Sequence, residues 1–239
     1  MYGNELASGP AVSRWLARTS TPRSELWITQ KVISVDRGVE ATCRASLKKM
    51  GVGYFDLYLV HAPFWKDGSA FEKSLPAVWR EMEGLVEQGL VKNIGVSNWR
   101  VSDLAQIYDG ATIKPAVNQI EAHPYLQQPK LLDYCKRRNI RVVAYAPLSP
   151  ITKRRGGPVD AAVNAAAKAH GKTTGQVLLR WSAHMGMLAV TTTSKPARLR
   201  ESLDVFSFEL TPAEVDAISE AGKTAQHRAF FPFVGFPDS

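Results

Sequence analysis

The chain has 239 residues, 45% of them hydrophobic and 22% charged, a composition ordinary for a globular protein long enough to bury one sizeable core. No run approaches the roughly 18 apolar residues that cross a bilayer as a helix, and the first twenty residues lack the basic start and apolar stretch of a leader, so a cytoplasmic protein with no membrane partner is expected. The net charge of +8 suits an anionic ligand, whether nucleic acid, an acidic surface or a phosphorylated cofactor, without choosing among them.

Taken in chain order, Leu26 to Val32 reads as a strand that ends at a charged residue, Lys31. A helix follows, with Val39, Cys43, Leu47 and Met50 on one face, Lys48 and Lys49 in its last turn and Gly51 as its stop. Phe55 to His61 is a second apolar strand, and Leu75, Val78, Trp79, Met82, Leu85 and Val86 keep helical register up to Gly89. Val91 to Asn98 is a third strand, Val101 to Tyr108 a short helix, and Pro115 to Glu121 a fourth strand. Leu131, Leu132 and Cys135 mark the next helix, Arg141 to Pro147 the fifth strand, and the basic stretch from Ile151 to Pro158 a loop.

A capping-box pattern, Thr173 with Gln176, opens a helix carrying Val177, Leu178 and Trp181, and Met187 to Thr193 is the sixth strand. A second box, Thr211 with Glu214, opens the last regular helix, with Pro212 where its missing N–H costs least. The expected organisation is a single domain over 1–239 with an irregular aromatic tail from about residue 222, including Phe230, Phe231, Phe233 and Phe236.

Both cysteines, Cys43 and Cys135, fall in helical patterns, and there is neither a CxxC pair nor a set of histidines at metal-binding spacing, so buried thiols and no metal are expected. The basic clusters Lys136-Arg137-Arg138 and Lys153-Arg154-Arg155 are not interleaved with stacking aromatics and read as solvated surface, which argues against nucleic acid as the partner.

Strands alternating with helices imply a parallel sheet covered by helices, either doubly wound or closed into a barrel. Lys31, His61, Ser97 with Asn98, Gln119 with Glu121, Tyr145 and Thr192 all fall at or near the carboxyl ends of their strands. A ring of functional side chains at that mouth is how a (β/α) barrel builds a site. A doubly wound nucleotide fold wants a glycine fingerprint after its first strand, whereas Gly51-Val52-Gly53 precedes a strand and lacks the third glycine.

The ordered segments Tyr2-Gly3-Asn4-Glu5, Asp56 to His61, Gly95-Val96-Ser97-Asn98, Asn118 to Tyr125 and Ala144-Tyr145-Ala146-Pro147-Leu148 together resemble the aldo-keto reductases, from Tyr2 to about Phe208. The resemblance implies an α/β fold of the (β/α)8 TIM-barrel type and NADPH-dependent reduction of an aldehyde or ketone. Tyr2, Lys31 and His61 match the family's catalytic tyrosine, lysine and histidine. A phenol near pKa 10 needs help to give up a proton near neutrality, an adjacent ammonium supplies that help, and an imidazole can orient the carbonyl.

The resemblance also implies that Ser97, Asn98 and Gln119 hold the nicotinamide carboxamide and that Tyr145 stacks on its ring, with Pro147 and Leu148 alongside. Thr192, Thr193, Ser194, Lys195, Arg198, Glu201 and Ser202 match the segment that takes the adenosine 2′-phosphate of NADPH (NADP+). Many relatives carry lysine where Thr192 stands and asparagine where Ser202 stands, yet Arg198 offers a planar fork and Lys195 a second charge. Ala62 follows His61 where many relatives place tryptophan, so Phe64 and Trp65, with the aromatic tail, are the candidates for the substrate pocket. His123, His170, His184 and His227 lack such company and read as structural or exposed.

In the family, two strands, one helix and a catalytic aspartate precede the tyrosine motif. The resemblance therefore predicts an incomplete barrel lacking those elements, with unpaired edges at Leu26 to Val32 and Met187 to Thr193 and weakened activity. A monomer acting on a small carbonyl compound is expected, the alternative being a catalytically inactive NADP(H)-binding or regulatory relative.

Overall fold

The structure, a computed structural model, describes residues 4–35, 37–65 and 67–231. It falls into two compact units, Met1–Asn118 and Gln119–Ser239.

The first unit runs α1 (Glu5–Thr19), β1 (Thr29–Val32), α2 (Val39–Met50), β2 (Leu57–Val60), α3 (Leu75–Glu87), β3 (Ile94–Ser97) and α4 (Val101–Tyr108). Its strands pair in parallel in the order β1, β2, β3, with Lys31 level with Leu59 and Leu59 level with Gly95. Strands β2 and β3 are buried throughout, as an apolar strand covered on both faces must be. The α2 stripe of Val39, Cys43, Leu47 and Met50 is buried as its spacing predicts, and Gly51 ends the helix at φ 65°, a left-handed conformation open to glycine at no steric cost. Asp56 sets the entry of β2: its buried carboxylate accepts the Ile28 N–H at 2.9 Å and pairs with Arg23 at 2.9 Å.

A further strand, β4 (Val117–Glu121), leads into the second unit. That unit continues with α5 (Pro129–Arg137), β5 (Arg141–Tyr145), α6 (Ser149–Thr152), α7 (Val159–His170), α8 (Thr174–His184), β6 (Leu188–Val190), α9 (Pro196–Leu203) and α10 (Pro212–Lys223). Strands β5 and β6 pair in parallel, Tyr145 level with Val190. Both predicted capping boxes form, Thr173 with Gln176 and Thr211 with Glu214. Cys43 and Cys135 are both buried free thiols.

Four helices depart from the sequence reading. α1 shows no apolar stripe, since Leu6 and Trp15 are exposed; it is held instead by Gly9, where a Cβ would come within 2.7 Å of the Lys49 and Met50 carbonyl oxygens. α7 is alanine-rich, with only Val159, Val163, Ala166 and Ala167 buried, so intrinsic helix preference rather than a stripe of large side chains defines it. α9 has no buried residue and starts at Pro196, while α6 runs into the first two residues of the stretch that reads as a loop. Each strand is also shorter than its apolar run, because the run continues into the turns that seat it. Among the described residues no helix is long and apolar enough to cross a membrane.

Candidate active site

In the first unit the parallel register aligns the predicted residues. Side chains alternate faces along a strand, so His61, two residues beyond Leu59, and Ser97, two beyond Gly95, lie on the same face as Lys31. The ladder extends one residue past β2, the His61 N–H donating to the Val32 carbonyl at 2.9 Å. Lys31 Nζ donates to Ser97 Oγ at 3.4 Å. Asn98 takes a left-handed φ of 62°, which turns its amide back: Nδ2 donates to the His61 carbonyl at 2.9 Å and to Ser97 Oγ at 3.1 Å. Thus Lys31, His61, Ser97 and Asn98 form one connected polar group. Tyr2 lies outside the described residues.

Burial sets the charge states. Loss of solvent lowers the Lys31 ammonium to about 8. His61 is pushed down to about 4, first by burial and then by the positive charge of Lys31. Near neutrality the site therefore offers a cation beside a neutral imidazole.

Beyond His61 the chain forms a small aromatic hairpin. Phe64 bridges Ala70, the Trp65 N–H donates to the Ser69 carbonyl at 2.8 Å, and the Trp65 and Phe71 rings meet edge to face at 5.0 Å. Phe64 is buried and Trp65 half-buried.

In the second unit Gln119 is buried near the start of its share of β4, and Tyr145 is half-buried at the end of β5. Ala146 at φ 54° turns the chain off the strand axis, which carries Pro147 into a buried position and Leu148 to the start of α6. After β6, Thr192, Ser194, Lys195 and Arg198 are exposed and Thr193 half-buried; Thr193 Oγ1 accepts the Lys195 N–H at 3.1 Å. Lys195 and Arg198 stand in the first turn of α9, where helix dipole and side-chain charge have the same sign. Glu201 and Ser202 are engaged within the fold: Glu201 accepts from Thr173 Oγ1 at 3.4 Å, and Ser202 Oγ donates to the Arg198 carbonyl at 2.9 Å.

The sequence places Glu121 in the ring at the strand ends and the aromatic tail beside the pocket, but nothing in it links the two. Glu121 is fully buried and accepts the backbone N–H groups of Ala229 and Phe230 at 2.8 and 2.9 Å. The signal was present as an acid closing the strand Val117–Glu121, because a carboxylate there must find donors.

Residues 1–223 match the family described as Aldo/keto reductase. An NAD/NADP-dependent indole-3-acetaldehyde reductase of Schizosaccharomyces pombe is 37% identical over 234 residues, spanning 96% of this chain and 80% of that protein. An NADPH-dependent alpha-keto amide reductase of Saccharomyces cerevisiae is 40% identical over 223 residues, 89% of this chain and 71% of the relative. Among solved structures, the aldose reductase of Schistosoma japonicum superposes with a TM-score of 0.85 at 30% identity, over 98% of this chain and 80% of that one. An aldo-keto reductase of Bombyx mori in complex with NADP gives 0.84 at 31% identity, over 92% and 75%. The fold is accordingly α/β of the (β/α)8-barrel type, with six strands among the described residues.

Proposed function

The chain belongs to the aldo/keto reductase family, and on that premise we propose that it reduces the carbonyl group of a small aldehyde or ketone to an alcohol with NADPH as the reductant. The observation that carries this reading is the shared face of Lys31, His61 and Ser97, tied together through Lys31 Nζ and the Asn98 amide.

Ser97, Asn98 and Gln119 are each buried polar side chains at or beside strands, of a kind able to donate to and accept from a carboxamide. Tyr145 offers a half-buried ring for stacking, with Pro147 and Leu148 beside it. The α9 terminus, with Thr192 to Ser194, Lys195 and Arg198, suits a phosphate, and Arg198 is the group that would favour NADPH over NADH. When bound, the reduced nicotinamide supplies the hydride that adds to the carbonyl carbon.

The chain's own part is to manage the negative charge that develops on the carbonyl oxygen. In this reading Tyr2 donates its phenolic proton to that oxygen, the O–H bond breaking as the alcohol forms, and solvent later restores the proton. The Lys31 ammonium stabilises the developing oxyanion, and an ammonium beside a phenol favours loss of its proton. Neutral His61 donates a hydrogen bond that orients the carbonyl. Phe64 and Trp65, the latter packed edge to face on Phe71, are the residues that would line the substrate pocket, and their rings would favour apolar or aromatic carbonyl compounds.

Incubating the chain with NADPH and a panel of aromatic and aliphatic aldehydes tests the proposal. Cofactor deuterated at the transferred position should leave its label on the carbinol carbon. Quenching of cofactor fluorescence without turnover of any aldehyde would replace this reading with that of a non-catalytic NADP(H)-binding protein.

A further inference from the structure

Glu121 closes β4 with a carboxylate whose donors come from two places. Oε1 is bonded to His123 Nε2 at 3.0 Å and accepts the Ala229 N–H at 2.8 Å, while Oε2 accepts the Phe230 N–H at 2.9 Å. The Glu121 carbonyl is fixed separately by Gln128 Nε2 at 2.7 Å. A carboxylate without solvent exposure is costly unless its oxygens are bonded, and here both are. Burial alone would raise its pKa, but the His123 and backbone donors outweigh it and hold Glu121 below the ordinary carboxylate range, so the acceptor is charged.

The segment that supplies those N–H groups has no helix or strand of its own between α10 and residue 231, so its backbone groups must find partners elsewhere in the fold. It leaves α10 beside the turn at Pro124, where Gly222 sits directly against the Pro124 carbonyl, and the His227 N–H donates to the Tyr125 carbonyl at 3.0 Å. The two bonds to Glu121 then turn Phe230 onto Tyr145, the rings meeting edge to face at 5.5 Å and 78°. A carboxylate is suited to this task because its two oxygens can take the N–H groups of two consecutive residues at once.

The geometry points to Glu121 as a positioning residue: it straps residues 227–231 over the strand ends of its own unit, and through Phe230 it fixes the plane of Tyr145, the ring proposed to stack on the nicotinamide. The last step rests on the cofactor reading above; the strap itself does not.

The Arg228–Ala229 bond makes the strap testable with trypsin, because the N–H on its far side is one of the two that Glu121 holds. Glu121→Gln keeps the size of the side chain but replaces one acceptor with a donor. It should release the peptide 229–239 about tenfold faster than the natural chain, with the urea midpoint of the rest little changed. Phe230→Ala should leave that cleavage rate near the natural one. Both substitutions should raise the NADPH Kd by roughly two- to tenfold, the worth of an aromatic pair.

Should Glu121→Gln not fold, Ala229→Pro removes one donor without touching β4. Faster amide exchange at Phe230 then replaces the tryptic assay, since trypsin does not cut before proline. Cleavage or exchange at the natural rate once a bond to Glu121 is removed would overturn the strap. A released strap with an unchanged Kd would overturn its action on Tyr145. Failure of the natural chain to bind NADPH would sink the cofactor reading instead, together with the step through Tyr145, and the tryptic rate would still decide whether Glu121 holds the strap.

Discussion

Lys31 and Ser97 stand on the first and third strands of their unit, and Lys31 Nζ nevertheless reaches Ser97 Oγ at 3.4 Å. Gly95 makes the room. A Cβ there would fall 2.6 Å from the Val117 carbonyl oxygen and 2.8 Å from Leu59 Cδ2, so the side chain between the two partners sinks against bare backbone.

Gly95→Ala should therefore destabilise the fold by about 1–3 kcal/mol, because neither the Val117 main chain nor the buried Leu59 can give way cheaply. Urea unfolding measures this directly, and an unchanged midpoint would contradict the close packing at this site.

The pH dependence of turnover should follow Lys31. Burial lowers its ammonium to about 8, so the positive charge proposed to stand beside the reacting oxygen is present below that pH and is lost as pH rises through it. Lys31→Arg, which keeps its charge, should shift the alkaline limb of the kcat/KM profile upward by more than about one unit, whatever it does to the absolute rate. An alkaline limb that stays in place would separate Lys31 from the chemistry.

Stability has the opposite sign at the same residue. Because folding lowers the Lys31 pKa, the unfolded chain binds more protons between about pH 8 and its ordinary 10.5, and stability rises with pH across that window. Lys31→Met should accordingly be more stable at pH 7, by on the order of 2 kcal/mol, while losing activity. A less stable variant would show that the ammonium contributes to the fold instead of costing it.

His61 sets an acid limit. Its pKa is lowered to about 4, chiefly by burial, so the unfolded chain takes up a proton near 6.5 that the folded chain refuses. Stability should fall as pH drops from about 6.5 to 4, by about 3 kcal/mol, and His61→Gln should lack that portion of the loss. Denaturant titrations at pH 7 and at about pH 4.5 compare the two chains; parallel losses would rule His61 out as the cause.

The proton-donor assignment and the cofactor assignment separate cleanly. Tyr2→Phe should lower kcat by about 10²- to 10⁴-fold with the NADPH Kd unchanged. Arg198→Ala should weaken NADPH by about tenfold or more and leave NADH nearly as it was, since only the former carries the 2′-phosphate. Equal losses for both nucleotides would show that Arg198 acts on something the two share.

Much of this site can be read without coordinates. The alternation of apolar runs with helical stripes yields the strand and helix order, apart from α1, α6, α7 and α9, whose buried faces are absent, small or short. Polar residues closing apolar runs mark Lys31, His61, Ser97 and Tyr145 as the groups that fall at the carboxyl ends of their strands. Glu121 follows the same pattern, but its two backbone donors lie 108 and 109 positions away, and no local pattern encodes a bond of that length.

Sequence by itself thus determined which chemical groups the chain carries and at which end of each strand they fall, since periodicity and capping are properties of neighbours along the chain. Tertiary structure alone decided that Lys31, His61 and Ser97 share a face, that burial strips the first two of proton affinity, and that Glu121 ties Phe230 to the strand ends. Register and desolvation arise from residues distant in sequence meeting in space, and a one-residue slip in pairing would have sent the same side chains to opposite faces.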